Sequence, residues 1–168
     1  LNYIMSKPIK LNQDLEIPFK DKMEKAIKTL IKESDDVLIT SNGGKIHREP
    51  PHHIVKVEHD FAPGIYMRRM LMQKGCTVFS AIHKRQHAWF LLEGKITLTD
   101  ETGQYTFKAP HFHISEAGTQ RIIFANKKSV FQNVFKNPKE LRDLDKIEDY
   151  HYCTTQQAYK EYINNKNK

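Results

Sequence analysis

The chain is poor in the features that usually announce a function. Its 168 residues hold two cysteines, Cys76 and Cys153. They are too few and too far apart for a disulfide framework or a zinc knuckle, and they read as two reduced thiols. No apolar run approaches the ~18 residues of a membrane span. Residues 1–10 lack the apolar stretch and cleavage site of a signal peptide, so no secretion by that route is expected. There is no Gly-x-Ser-x-Gly elbow, no phosphate loop and no dinucleotide fingerprint. Acidic residues are too sparse in the middle of the chain to offer paired carboxylates for glycoside chemistry. A basic helix and an aromatic-basic RNA signature are also missing, which argues against sequence-specific nucleic-acid binding. No catalytic residue is assigned on these grounds.

What is present is a modest core. Hydrophobic residues make up 39% of the chain, and its 9 Phe, 7 Tyr and single Trp exclude wholesale disorder. The formal charge is +7, and it is unevenly placed. Residues 1–40 hold seven basic and seven acidic side chains, and residues 139–168 hold six of each. Residues 41–138 therefore carry all the excess charge, and all seven glycines as well. Such a basic unit favours anionic partners.

Three regions follow. Residues 1–40 read as an extended arm interrupted by Pro8 and Pro18, then a short amphipathic helix over 20–34 with Met23, Ile27, Leu30 and Ile31 on one face. That helix reads as a cap on an open barrel end. After turn signals at Ser41-Asn42-Gly43-Gly44 and Glu49-Pro50-Pro51, residues 41–138 break into short Val-, Ile-, Phe- and Thr-rich segments. Strands are predicted at 53–58, 65–73, 76–83, 87–92, 95–99, 104–108, 111–115, 120–125 and 129–135, separated by Gly-bearing turns. This is the pattern of a β-sandwich or barrel. Residues 139–168 return to helix as a tail, with Leu141, Leu144 and Ile147 spaced by three.

Residues 75–94, GCTVFSAIHKRQHAWFLLEG, resemble the first motif of the cupin superfamily: Gly, five residues, His-x-His, three or four residues, Glu, six residues, Gly. Counted from Gly75, the ligand positions fall on Ala81, His83 and His87, and the closing glycine on Gly94. The second motif, anchored on Gly118, places Arg121 at its metal-binding His and Ala125 at its Asn. Residues i and i+2 of a strand share a face. Ala81 and His83 are therefore expected to point inward with Phe79 behind them, Lys84-Arg85-Gln86 to turn the chain, and His87 to stand opposite His83. The resemblance implies an all-β fold, a single cupin-type double-stranded β-helix or jelly-roll barrel, with dimers or higher homo-oligomers common. The run from 82 onward, with His83, Lys84 and His87, then Gly118, Thr119 and Arg121, is also similar to small cupin-like proteins of tailed bacteriophages. That narrower resemblance implies a non-catalytic virion assembly or decoration protein, with other virion proteins as partners, located in the virion or the infected host's cytoplasm.

Two alternatives stand beside it. His83 and His87, completed by His113, would be a metal site for Zn, Fe, Ni or Mn in an oxygenase- or isomerase-type enzyme. Against this, an arginine cannot coordinate and repels a cation. Arg121 with His83 and His87, and Trp89 lining the same cavity, would instead hold a small anion such as phosphate or a nucleotide. The plainer expectations are a buried, hydrogen-bonded histidine pair and a salt bridge from Arg121 to Glu93 or Glu116. His111 is expected to be exposed, and His47, His52, His53, His59 and His151 to face solvent.

Overall fold

The computed structural model describes residues 2–5, 18–33, 38–39 and 55–166. In chain order these form β1 (Asn2–Met5), α1 (Phe19–Glu33), β2 (Leu38–Ile39), β3 (Val55–Ala62), β4 (Ile65–Met72), β5 (Thr77–Ser80), β6 (Ile82–His83) and β7 (His87–Glu93). They continue with β8 (Lys95–Asp100), β9 (Gly103–Lys108), β10 (His111–Ser115), β11 (Ile122–Ala125), β12 (Ser129–Lys136), α2 (Leu144–His151), β13 (Tyr152–Cys153) and α3 (Gln156–Lys166). The turns predicted over 41–51, and His47, His52 and His53, lie outside the described residues.

Two antiparallel sheets make the jelly-roll body. One has the order β2-β1-β5-β11-β8-β9, the other β10-β7-β12-β4-β3. The second shows why these sequences choose strand. In β12, Ser129, Phe131, Asn133 and Phe135 are buried while their neighbours are half-buried or exposed. In β7 the buried set is His87, Trp89 and Leu91, and in β4 it is Tyr66, Arg68, Met70 and Met72. Period-two burial places one face on the core. The turn at Gly94 allows no other residue: its φ is +87°, and a Cβ there would lie 2.2 Å from the Lys128 carbonyl oxygen.

The core has two parts. Val55, Met70, Met72, Val78, Trp89, Leu91, Ile96 and Phe131 belong to the first, between the sheets. Met23 and Ile27 of α1, Ile147 of α2 and Tyr152 belong to the second, packed with Tyr66, Phe79 and Phe135. α1 and α2 thus cover this part of the core, α1 through Met23 and Ile27 of the apolar face predicted over 20–34. Asp143 caps α2, its carboxylate accepting from the Asp145 and Lys146 amides.

The 76–83 segment differs from expectation, and four residues of the extended arm are paired. Residues 2–5 are a strand: β1 pairs antiparallel with β5, Asn2 opposite Ser80 and Met5 opposite Thr77. The single strand predicted over 76–83 is two, because β6 leaves the first sheet and pairs with β13 of the tail, Tyr152 opposite His83. A partner distant in sequence decides that break, and no local signal marks it. Both cysteines are free and buried, and burial pushes the Cys76 thiol up to about 12.

Candidate functional site

Beneath the two imidazoles predicted to meet, the structure supplies a third group. His83 ends β6 and His87 begins β7; their rings stack with centroids 4.2 Å apart and planes 17° from parallel. His83 Nδ1 lies 3.0 Å from the Thr119 carbonyl oxygen. A carbonyl only accepts, so Nδ1 donates. His87 Nε2 lies 2.7 Å from Arg121 Nη2, and a guanidinium only donates, so His87 Nε2 accepts. Burial, with Arg121 and the other ring close by, holds the His83 pKa well below its ordinary value. Burial and then Arg121 lower His87 to about 2. Both imidazoles are neutral at pH 7.

Arg121 follows the Gly118 turn and is 2% exposed. Nη1 donates to Ser115 Oγ at 2.5 Å, and Nη2 donates to His87 Nε2 and to Asn133 Oδ1 at 3.1 Å. Every acceptor is neutral. Burial lowers the guanidinium pKa to about 10. The expected salt bridge to Glu93 or Glu116 does not form. Glu116 accepts from Gln86 Nε2 instead, and Ser115 and Asn133 take the places around Arg121. Sequence reasoning missed both residues. Asn133 left a trace, a polar residue at an inward position of SVFQNVFK.

The imidazoles do not suit a divalent ion. His87 spends its Nε2 lone pair on a cation 2.7 Å away. Near-parallel stacked rings also direct their in-plane lone pairs into separate planes, which do not converge on one ion. His113, the proposed third ligand, is exposed on β10, tilted over Trp89 at 5.7 Å. Among the described residues no group of three or more His, Cys, Asp or Glu is placed to hold a metal ion.

Arg121 also forms part of a cleft of about 540 Å³ where β8, β9 and β10 approach β7. This is within the range of small-molecule sites. His83 and His87 do not line it; Trp89, Phe107, His111 and His113 do. The aromatic wall is continuous. Trp89 meets Phe107 edge-on at 5.4 Å, and His111 stacks on Phe107 at 4.3 Å. His111 is half-buried there, contrary to its expected exposure. Three polar atoms on this wall are buried without a hydrogen-bond partner: Trp89 Nε1, His111 Nε2 and Arg121 Nε. Two of them can only donate.

Two other histidines depart from expectation. His59 Nδ1 bonds the Tyr66 hydroxyl at 2.7 Å, and His151 is 2% exposed, its ring 4.6 Å from that of Phe135. Tyr66, across the β3–β4 hairpin, partly covers His59, and aromatic rings distant in sequence bury His151.

No protein-family model and no curated protein matches the sequence. Solved structures do resemble the fold. One is KdgF from Halomonas sp., at TM-score 0.46 and 12% identity, over 56% of this chain and 86% of that one. Another is a cupin-2 domain protein from Shewanella frigidimarina, at 0.42 and 8%, over 49% and 80%. A third is a putative acetylacetone dioxygenase from Methylibium petroleiphilum, at 0.41 and 18%, over 52% and 67%. These comparisons give no support to the expected link with tailed-bacteriophage proteins or to a virion location. No helix among the described residues is long and apolar enough to cross a membrane.

Proposed function

We propose that the barrel binds a small organic anion, a carboxylate on an apolar or aromatic body, with its charged group toward Arg121. One observation carries this reading: a buried guanidinium with only neutral acceptors stands on a cleft wall beside a second orphaned donor, Trp89 Nε1–H. Burying an uncompensated charge costs several kcal/mol, and an orphaned buried donor costs about 1–3 kcal/mol. A ligand oxyanion relieves both penalties at once, and charge-assisted bonds are the strong ones.

The surroundings narrow the ligand. Half-buried Phe107, stacked with His111 and backed by buried Trp89, offers aromatic surface to a planar or greasy body. Asp100, Glu101 and Glu116 also stand along the cleft, and their field opposes a multiply charged phosphate or nucleotide. A singly charged carboxylate meets less of that repulsion. His87 acts here as a positioning residue: its neutral Nε2 fixes one guanidinium nitrogen while Ser115 fixes the other.

Thermal unfolding against aliphatic and aromatic monocarboxylates, inorganic phosphate and nucleotides tests the proposal. At one hundred times its dissociation constant, a ligand adds about 2.7 kcal/mol of stability, a Tm rise of a few degrees. The expected result is a saturable rise with aromatic or branched carboxylates that Arg121→Met abolishes. A flat carboxylate series, or an equal rise in the variant, overturns it.

A further inference from the structure

The cleft that holds Arg121 carries a negative pole beside it. β8 turns Ile96 and Leu98 into the core, and period two carries the same face on to half-buried Asp100. β11 does likewise with Ile123 and Ala125, and the same face reaches back to Arg121. The two strands are antiparallel neighbours, with Ile123 opposite Leu98 and Ile122 opposite Thr99. Continuing that register by one residue sets Arg121 opposite Asp100. Directly opposed residues have Cβ atoms only about 4.5–5.5 Å apart. Both side chains line the cleft.

Opposite charges so placed ordinarily pair, and these do not. Arg121 turns its guanidinium to Ser115, His87 and Asn133, and its buried Nε has no hydrogen-bond partner. Asp100 Oδ1 accepts from the Thr102 amide at 2.8 Å and the Thr102 hydroxyl at 2.6 Å. Its Oδ2 has no partner among the described residues. Burial lowers the Arg121 pKa and Asp100 is one of the groups that oppose it, so the two charges feel each other without an ion pair. Glu101, the next acid along the cleft, is already paired with Lys20 Nζ at 3.2 Å. Glu116 accepts only from the neutral Gln86 amide. Asp100 and Glu116 therefore outnumber Arg121. A bare carboxylate adds to that negative excess, whereas a zwitterion adds nothing to it.

We infer that the ligand is an amino acid with an apolar or aromatic side chain, its carboxylate on Arg121 and its ammonium on Asp100. This rests on the carboxylate reading above and adds the second pole to it. Register opposition sets a short spacing, which suits the two charges of the ligand on one carbon. The ammonium brings charge-assisted hydrogen bonds to a carboxylate oxygen that has none. The side chain has a continuous row to lie on. Across the β8–β9 hairpin, Asp100 stands opposite Gly103, Leu98 opposite Tyr105 and Ile96 opposite Phe107. Leu98, Tyr105 and Phe107 all line the cleft, so the apolar wall starts one strand step from the charged pole.

Isothermal titration calorimetry of the full chain with matched ligands tests it. Phenylalanine is compared with hydrocinnamate, which lacks the ammonium, and with phenethylamine, which lacks the carboxylate; leucine is compared with isocaproate. Each amino acid is expected to bind at least ~10-fold tighter than its matches. Asp100→Asn keeps an Oδ1 acceptor for Thr102 and is expected to bring phenylalanine and hydrocinnamate within about twofold of each other. The wild-type pairs decide the matter even if that variant does not fold. Hydrocinnamate and isocaproate binding as tightly as the amino acids would overturn the inference and leave the carboxylate reading standing. If no member of either pair binds, both fall. Phenethylamine binding as tightly as phenylalanine, or an unchanged preference in Asp100→Asn, overturns the two-pole arrangement.

Discussion

Two arginines, Arg68 and Arg121, are almost equally buried and live in opposite circumstances. Arg68 Nη1 donates to the Glu148 carboxylate at 2.8 Å, joining β4 of the barrel to α2 of the tail. Glu148 raises the Arg68 pKa against the opposing effect of burial. Arg121 has serine, histidine and asparagine as acceptors and no carboxylate, and burial lowers its pKa. The first is a closed ion pair at the helix-capped end. The second is an open half-pair on a cleft wall. Buried charge that is fully compensated belongs to the fold, whereas buried charge left partly uncompensated points to a partner that comes and goes.

The largest test is to break the closed pair. Arg68→Met takes the guanidinium of this pair from the Glu148 carboxylate, and Glu148→Ala takes the carboxylate from Arg68. Either change is expected to cost about 3–5 kcal/mol in urea unfolding and to loosen the tail from the barrel. Chemical denaturation of both variants and of the double mutant reads the pair directly. A loss below about 1 kcal/mol in either single variant would show that the pair is not the lock between α2 and the barrel.

Acid separates the same ends less sharply. His151 packs against Phe135 and Tyr66 at the helix-capped end, and burial lowers its pKa to about 4; both ring nitrogens lack hydrogen-bond partners. The folded state therefore stays unprotonated while the unfolded chain takes a proton near its ordinary 6.5. Stability is full above that value and falls as the pH drops from about 6.5 towards 4, by at most about 3 kcal/mol from this one group. His151→Phe removes that proton uptake. Its stability is expected to decline less steeply across the window, measured by urea titrations at pH 7, 6, 5 and 4. Parallel declines would place the acid sensitivity elsewhere.

Much of this was legible in the residues, and the failures share a cause. Glycine turns and period-two apolar segments gave the barrel, and the spacing from Gly75 to Gly94 brought His83 and His87 ring to ring. Inward pointing of Arg121 also followed from its place after Gly118. What could not be read were the contacts made across the barrel. Ser115 and Asn133 hold Arg121 from β10 and β12, β13 splits the strand at Ala81, and aromatic stacking buries His151. A motif fixes which way a side chain points along its own strand. It does not fix what meets that side chain from strands tens of residues away. The metal reading failed on that point: spacing brought two imidazoles together, and a third strand supplied a cation to one of them.

The smallest expected change in stability is the most informative about the open half-pair. Arg121→Met keeps the volume near Trp89 and Phe131, whose ring centroids lie 6.0 and 5.7 Å from the guanidinium carbon. It removes a buried charge whose hydrogen-bond acceptors are all neutral, a gain, and it strips one bond each from Ser115, His87 and Asn133, a loss of about 1–3 kcal/mol apiece. Replacing buried ionic groups by well-packed apolar ones is often neutral or better. The two effects nearly cancel, so the ligand-free variant is expected within about 1 kcal/mol of wild type, against the several lost on Arg68→Met. A loss as large as that of Arg68→Met would make Arg121 a structural keystone of the barrel. Near-neutrality together with loss of the carboxylate response would mean that Arg121 is kept for what it binds.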